Sequence, residues 1–220
     1  DKKRKTYAAM VSAVDDGVGR ILDQLEYSAI AENTIIFFFS DNGGPEHKNG
    51  SNNGPLRGGK SSIYEGGNRV PFAMRWTREI SPMVYDYPVS SLDILPTIAE
   101  LTNAPIAEDK PFDGVNIIPY LKGEKQGKPH PILYVRKFDE DLYSVRDGDM
   151  KLVAKKKNSV KELFNLGEDI GEENDLANRF PEKVQHLDSL LQKWDSHLID
   201  PIFLGLIHTE RWQKRLKVNP

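Results

Sequence analysis

Residues 33–44 read NTIIFFFSDNGG, an unbroken apolar run that ends in an acidic, amide-bearing, glycine-rich exit. From Ile35 to Phe39 apolar and polar residues do not alternate, so a strand here has both faces buried, as in a parallel sheet covered by helices. The segment that follows, residues 40–60 (SDNGGPEHKNGSNNGPLRGGK), is the most polar and least regular of the chain. In open α/β sheets, ligands bind beyond the carboxyl ends of the strands. The first two residues past Ser40, Asp41 and Asn42, stand at that place.

Upstream, Tyr7, Met10, Val11, Val14, Val18, Ile21, Leu22 and Leu25 recur at helical spacing, which predicts an amphipathic helix over 7–25. Asp15 and Asp16 interleave with this stripe and read as its solvated face, with Arg20 placed to pair with Asp16 across one turn. Downstream, Val70 to Met74 form a second apolar run, with Pro71 near its start because proline cannot donate to a ladder. Ser91 is the expected cap of a helix through Leu92, Ile94, Leu95, Ile98 and Leu101, in which Pro96 is locally awkward. Helix, buried strand, loop, buried strand and helix make an α/β pattern.

From about residue 111 the pattern changes, so two domains are expected, 1–110 and 111–220. Short partly alternating runs at 131–135, 142–146, 150–154 and 161–166, with the turn Asp147-Gly148-Asp149, predict an antiparallel meander. A helix over 181–198 closes it with Val184, Leu187, Leu190, Leu191 and Trp194 on one face. Lys155-Lys156-Lys157 reads as a solvated hairpin end that guards a strand edge, with an anion patch as the alternative. Apolar residues of the tail, Ile202, Phe203, Leu204, Leu206, Ile207 and Trp212, are expected to pack onto the main body.

The chain has 220 residues, 38% hydrophobic and 29% charged, enough for one substantial core and against disorder, coiled coil or collagen. A formal net charge of −3 and a pI near 6.0 give no field that recruits nucleic acid or an anionic membrane. Cysteine is absent from the sequence, which removes disulfides, thiolate metal sites and cysteine nucleophiles together. No apolar run is long enough for a transmembrane helix.

Within the loop, the Asp41 carboxylate and Asn42 carbonyl are hard oxygen donors suited to Ca²⁺ or Mg²⁺, and Gly43-Gly44 let the chain turn away. Asp-Asn-Gly-Gly is equally an ordinary turn. At the other end, Arg57-Gly58-Gly59-Lys60 offers cations on a slender backbone, and Lys60 suits an anionic oxygen as a compact point charge. A cation and a metal facing one crevice stabilise negative charge on a sulfuryl or phosphoryl group. His47 reads as an incidental loop histidine or a general acid. Asn52 and Asn53 read as turn residues, or less directly as contacts for substrate hydroxyls.

Taken in order, several segments resemble the type I sulfatases of the alkaline-phosphatase-like superfamily. They are Tyr7-Ala8-Ala9-Met10 with Asp15 and Val18-Gly19-Arg20-Ile21-Leu22, Ser40-Asp41-Asn42-Gly43-Gly44, Pro55-Leu56-Arg57-Gly58-Gly59-Lys60, Tyr64-Glu65-Gly66-Gly67 and Arg69-Val70-Pro71. Asp93-Ile94-Leu95-Pro96-Thr97, Asp113-Gly114-Val115, Arg146 through Leu152 and Glu162 through Leu166 continue the series. The resemblance implies part of an alkaline-phosphatase-like parallel sheet with flanking helices, followed by a small antiparallel subdomain with a C-terminal helix. It implies that Asp41 and Asn42 are two of the calcium ligands and that Lys60 contacts the sulfate ester. Ser61 stands where related sulfatases often carry glycine, with no change of role expected.

The family's nucleophile, a formylglycine made from a Cys or Ser in a Cys/Ser-x-Pro-x-Arg motif, belongs to an N-terminal half, and these residues contain no such motif. Two buried strands also cannot complete a doubly covered sheet. The expectation is therefore a C-terminal half, inactive alone, whose partners are the N-terminal half of the same enzyme and a sulfated small molecule or glycan. The resemblance favours a periplasmic, secreted or lysosomal location. A phosphodiesterase or phosphonate hydrolase of the same superfamily, and a non-catalytic module binding sulfated glycans, are the alternatives.

Overall fold

The helical stripe forms a longer helix than its spacing predicts, α1, Lys2–Tyr27, in a computed structural model that describes residues 1–106, 109, 111–155 and 160–202. None of its residues is buried, and Met10, Val14 and Ile21 are more than half exposed. Strand β1, Ile36–Phe39, follows, and after the loop come two single-turn helices, α2, Glu46–Asn49, and α3, Glu65–Asn68. Strand β2, Phe72–Arg75, pairs with β1 in a two-stranded sheet, with Phe37 and Phe72 edge to face at 6.2 Å. The expected burial of both faces does not occur among the described residues: Phe38 is 47% exposed and Phe39 38%. Two strands have too little width to be covered on both sides. Pro71 immediately precedes β2, where its missing N–H costs no ladder bond, and its carbonyl accepts the Ser40 N–H at 3.2 Å.

Two compact units are present, Asp1–Met10 with Phe39–Pro71 and Ile132–Pro220, and Val11–Phe38 with Phe72–Pro131. In the second unit, α4, Ile94–Leu101, is entered through a single 3₁₀ turn, Ser91–Asp93. Its cap is Ser90, one residue earlier than expected: the Ser90 hydroxyl accepts the Leu92 N–H, and Asp93 accepts the Ser90 N–H at 2.8 Å. Pro96 lies in the first turn of α4, where backbone N–H groups have no intrahelical acceptor, so the proline is tolerated. The fully buried Asp93 carboxylate also takes the Val115 N–H at 2.9 Å and His130 Nε2 at 2.7 Å. Gly114 is needed beside it, since a Cβ there would lie 2.1 Å from the Leu92 carbonyl oxygen. A further short helix, α5, Ile118–Leu121, completes this unit.

The first unit contains the predicted meander: β3, Ile132–Lys137; β4, Leu142–Asp147; β5, Met150–Lys155; and β6, Val160–Asn165, in that order and antiparallel throughout. Asp147 pairs with Met150 around the two-residue turn, in which Gly148 has the positive φ of 59° that such tight turns require. Helix α6, Pro181–Asp195, starts on a proline and covers one face. Tyr143, Val145, Leu152, Ala154 and Leu163 form a core with its Leu187 and Leu191, while Val184, Leu190 and Trp194 pack around it. Along β5 and β6 the alternate residues Val153 and Phe164 turn to the opposite face, where they meet Ile63 and Leu166. The segment just after the polar loop is thus seated on the sheet. Lys156 and Lys157, and the tail residues Phe203, Leu204, Leu206, Ile207 and Trp212, lie outside the described residues. Ile202 is 83% exposed.

Candidate functional site

Residues 40–60 have almost no apolar side chains to fold around, so their shape comes from backbone and amide hydrogen bonds. Asn53 is the brace. Its Oδ1 accepts the Gly44 N–H and its Nδ2 donates to the Gly44 carbonyl, both at 2.7 Å, so one side chain pairs with one residue as a neighbouring strand would. Its Nδ2 also reaches the Gly58 carbonyl at 3.2 Å, and its N–H donates to Glu46 Oε1. The reading of Asn53 as a turn residue therefore gains a specific function: it joins the entrance of the loop to its exit. At the outer edge, the Arg4 guanidinium donates to the Gly50 carbonyl at 2.8 Å, and Lys3 donates to that of His47 at 3.4 Å.

Three glycines let the two ends approach. A Cβ on Gly59 would lie 2.4 Å from the Gly44 carbonyl oxygen, and one on Gly43 would lie 1.6 Å from that of Gly66. Gly66 itself lies against Gly58, with 2.4 Å between the position of its absent Cβ and the Gly58 carbonyl oxygen. No side chain larger than hydrogen fits at such separations. The residue after Asn42 and the residue before Lys60 are held within one set of backbone contacts.

The candidate side chains on that frame differ in their surroundings. Asp41 and Lys60 are exposed, and among the described residues no hydrogen bond or ion pair engages either charged group. Asn42 is half-buried, and its Nδ2 donates to the Gly43 carbonyl at 2.9 Å, so its second amide atom, the carbonyl oxygen, is the one left to serve as a donor to an ion. Asp41 and Asn42 fit a hard divalent cation in donor type. Among the described residues no cluster of three or more His, Cys, Asp or Glu side chains accompanies them, so they amount to part of a ligand set. His47 is exposed, and its backbone carbonyl accepts from Lys3.

Arg57 departs from the expectation that it supplies a free cation beside Lys60. Its guanidinium stacks 3.8 Å from the Tyr64 ring centroid, donates to the Glu172 carbonyl at 2.8 Å and pairs with Glu162 at 3.6 Å. The planar fork is used for packing and for fixing the chain, a use to which arginine is better suited than lysine. The Tyr64 hydroxyl donates to Glu162, and burial together with that carboxylate pushes the phenol up to about 12. Ser61, at the position where glycine was noted as common, has φ 73°, in the left-handed region that glycine occupies most easily.

Sequence reading missed a buried charged cluster beneath the loop. Glu65 begins α3, Lys151 projects from β5, and Glu172 lies beyond β6; they are 7%, 3% and 0% exposed. Lys151 Nζ is 2.8 Å from Glu65 Oε1 and 2.9 Å from Glu172 Oε1, and Glu172 Oε2 accepts the Glu65 N–H at 2.6 Å. Burial pushes the Glu172 carboxyl above its usual value, against the opposing pull of Lys151. The only sequence signal was a lysine set between Met150 and the apolar run Leu152-Val153-Ala154.

A family model described as Sulfatase matches residues 1–104, which include the loop and α3. The uncharacterized sulfatase YdeN of Escherichia coli (strain K12) is 31% identical over 86% of this chain and 40% of its own length. The chain belongs to the sulfatase family. It matches type I sulfatases of the alkaline-phosphatase-like superfamily, and it spans less than half the length of the relatives it matches. The steryl-sulfatase of Mus musculus is 40% identical over 58% of this chain and 22% of its own length. Among solved structures, Ps i-CgsB in complex with k-i-k-neocarrahexaose has a TM-score of 0.86 at 34% identity, covering all of this chain and 49% of its own. A phosphonate monoester hydrolase from Silicibacter pomeroyi shares the fold, with a TM-score of 0.66 at 19% identity. No helix among the described residues is long and apolar enough to cross a membrane.

Proposed function

We propose that the full protein hydrolyses a sulfate ester of a carbohydrate or another small organic sulfate, and that residues 40–60 form one side of its active site. The observation that carries this reading is the sulfatase relationship across a loop that carries Asp41 and Asn42 at its entrance and Lys60 at its exit, on a backbone frame that brings Gly44 against Gly59 and Gly43 against Gly66. The nearness in fold and sequence to Ps i-CgsB, whose crystal structure contains an oligosaccharide, supports a glycan as substrate.

In this reading Asp41 and Asn42 give two oxygen ligands to Ca²⁺, or to Mg²⁺, and the remaining ligands come from residues outside these 220. The ion, when bound, neutralises charge on the sulfate oxygens. Lys60 approaches the ester as a point charge with three donors and stabilises the negative charge that grows as the ester bond breaks. It is free to do so because nothing among the described residues pairs with it. Asn42 is oriented by its bond to Gly43, which leaves its carbonyl oxygen as the donor. The nucleophile, a formylglycine, is supplied by the N-terminal half, which is also expected to cover the open faces of α1 and the β1–β2 sheet.

Assay of the full protein with aryl sulfate and aryl phosphate, beside Asp41→Ala and Lys60→Ala, tests the assignment. Sulfate turnover is expected to exceed phosphate turnover, and each substitution to lower kcat/KM by about 10²-fold or more. Preference for the phosphate would move the protein to the phosphoesterase branch. Turnover by the isolated 220 residues would overturn the placement of the nucleophile, and glycan binding with no turnover at all would leave a binding module.

A further inference from the structure

The proposed site has an unusual dependence on one short turn. Asp41, Asn42 and Lys60 are not held by side-chain packing of their own; the residues beside them are held by Glu65-Gly66-Gly67. The Gly43 N–H donates to the Gly67 carbonyl at 3.0 Å, and the Gly66 N–H donates to the Arg57 carbonyl at 2.8 Å. One turn therefore grips the chain immediately after Asn42 and three residues before Lys60. Whatever fixes that turn fixes both ends of the loop together.

The turn is fixed by charge. Glu65 contributes its N–H to Glu172 and its carboxylate to Lys151, while Lys151 bridges to Glu172 as well. Glu172 in turn gives its backbone carbonyl to Arg57, so the same cluster reaches the exit of the loop by a second route. Two carboxylates, both almost wholly out of water, share one ammonium. Arg69 and Arg146 lie farther from Glu65, at 3.5 and 3.8 Å, and neither bridges to Glu172. Without the ammonium, two buried like charges would face each other across the seam between α3 and the meander, an arrangement that relaxes by separation or protonation. Separation would move Gly66 and Gly67, and with them the metal-binding end and the lysine end of the loop.

We infer that Lys151 is a positioning residue for the proposed site: by holding Glu65 and Glu172 together it fixes the relation between Asp41–Asn42 and Lys60. This inference rests on the sulfatase reading for its catalytic consequence, although the positioning itself can be measured without turnover. The ion partners of Lys151 are Glu65 and Glu172, not the loop's charged ends, so its effect is transmitted through α3.

The test uses the full protein carrying Lys151→Met, with Glu172→Gln as the milder variant. Hydrogen exchange is followed for peptides covering 41–60 and for peptides covering β4 and β5, together with aryl sulfate kinetics. Exchange in 41–60 is expected to quicken about tenfold or more while β4 and β5 keep their protection. The accompanying fall in kcat is expected to approach 10²-fold, about the loss a 1 Å misplacement produces, with KM changing far less. Glu172→Gln, which keeps an acceptor for the Glu65 N–H, should show the same pattern at smaller size and carries the test if Lys151→Met does not fold. Unchanged exchange in 41–60, or equal loss in the loop and the sheet, would overturn the inference. If the wild type fails to turn over aryl sulfate, the sulfatase reading falls and the exchange pattern still decides for or against Lys151.

Discussion

The meander with α6 and the β1–β2 sheet with α1 are both rich in large apolar side chains, yet only one of them finishes a core. In the first, Val145, Leu152 and Leu163 are fully buried and Leu187 and Leu191 nearly so. In the second, α1 has no fully buried residue, with Val18, Leu22 and Leu25 only half-buried, and Phe38 and Phe39 at the end of β1 stay substantially exposed. The difference lies in layer count. Four strands with a helix on one face and residues 63–64 on the other close around their own side chains, whereas two strands cannot. The contrast separates what this stretch of chain stabilises by itself from apolar surface that it leaves open among the described residues.

Substitution should expose that contrast directly. Leu187→Ala is expected to destabilise the protein by about 2–5 kcal/mol in denaturant titration, since the residue is 1% exposed in a closed core. Ile21→Ser, on the open stripe of α1, is expected to change the stability of the 220-residue polypeptide by no more than about 0.5 kcal/mol. In the full protein the same change is expected to cost about 1.5–3 kcal/mol, as for a side chain that has become buried. An equal, small cost in both settings would break the comparison, because it would mean that α1 stays uncovered.

The boundary between loop and meander offers a subtler measurement. The Tyr64 phenol, raised from 10.0 to about 12, favours its protonated form in the folded state. Its contribution to stability is therefore fully present below pH 10 and is lost as pH rises from 10 through about 12. Tyr64→Phe should remove the part of the stability decline that belongs to this window, and the ultraviolet phenolate titration should lose its latest step. The smallest expected effect is at Ser61: Ser61→Gly relieves a left-handed backbone and should raise stability by roughly 1 kcal/mol. A loss instead would mean that the hydroxyl, or the lower freedom of serine in the unfolded chain, outweighs the strain.

Legibility in the sequence followed the range of the interactions. The meander, its Asp147–Met150 turn and the apolar face of α6 were readable because their signals repeat over neighbouring residues. Asp41, Asn42 and Lys60 were readable as oxygen donors and a cation bracketing a glycine-rich loop, and the family resemblance ordered them. The specific uses of Asn53 and Arg57 were not legible, since the partners that occupy them, Gly44 and Glu172, follow from the fold and not from local pattern. Glu172 was invisible: in a run as acidic as Gly167 through Asp175 a glutamate looks solvated, and only a lysine on a distant strand buries it. The cap at Ser90 in place of Ser91 shows the ordinary imprecision of a boundary where two serines adjoin.

The brace at Asn53 bears on the order in which the site assembles. Its bonds to Gly44 span nine residues, a closure whose entropic cost is small, whereas Glu65 meets Lys151 across eighty-six. Contacts between near neighbours along the chain form early and distant ones late. The loop can acquire its curvature while the polypeptide is still largely unfolded, and its orientation is set only when β5 delivers Lys151, so the cradle proposed for the sulfate is shaped first and aimed last.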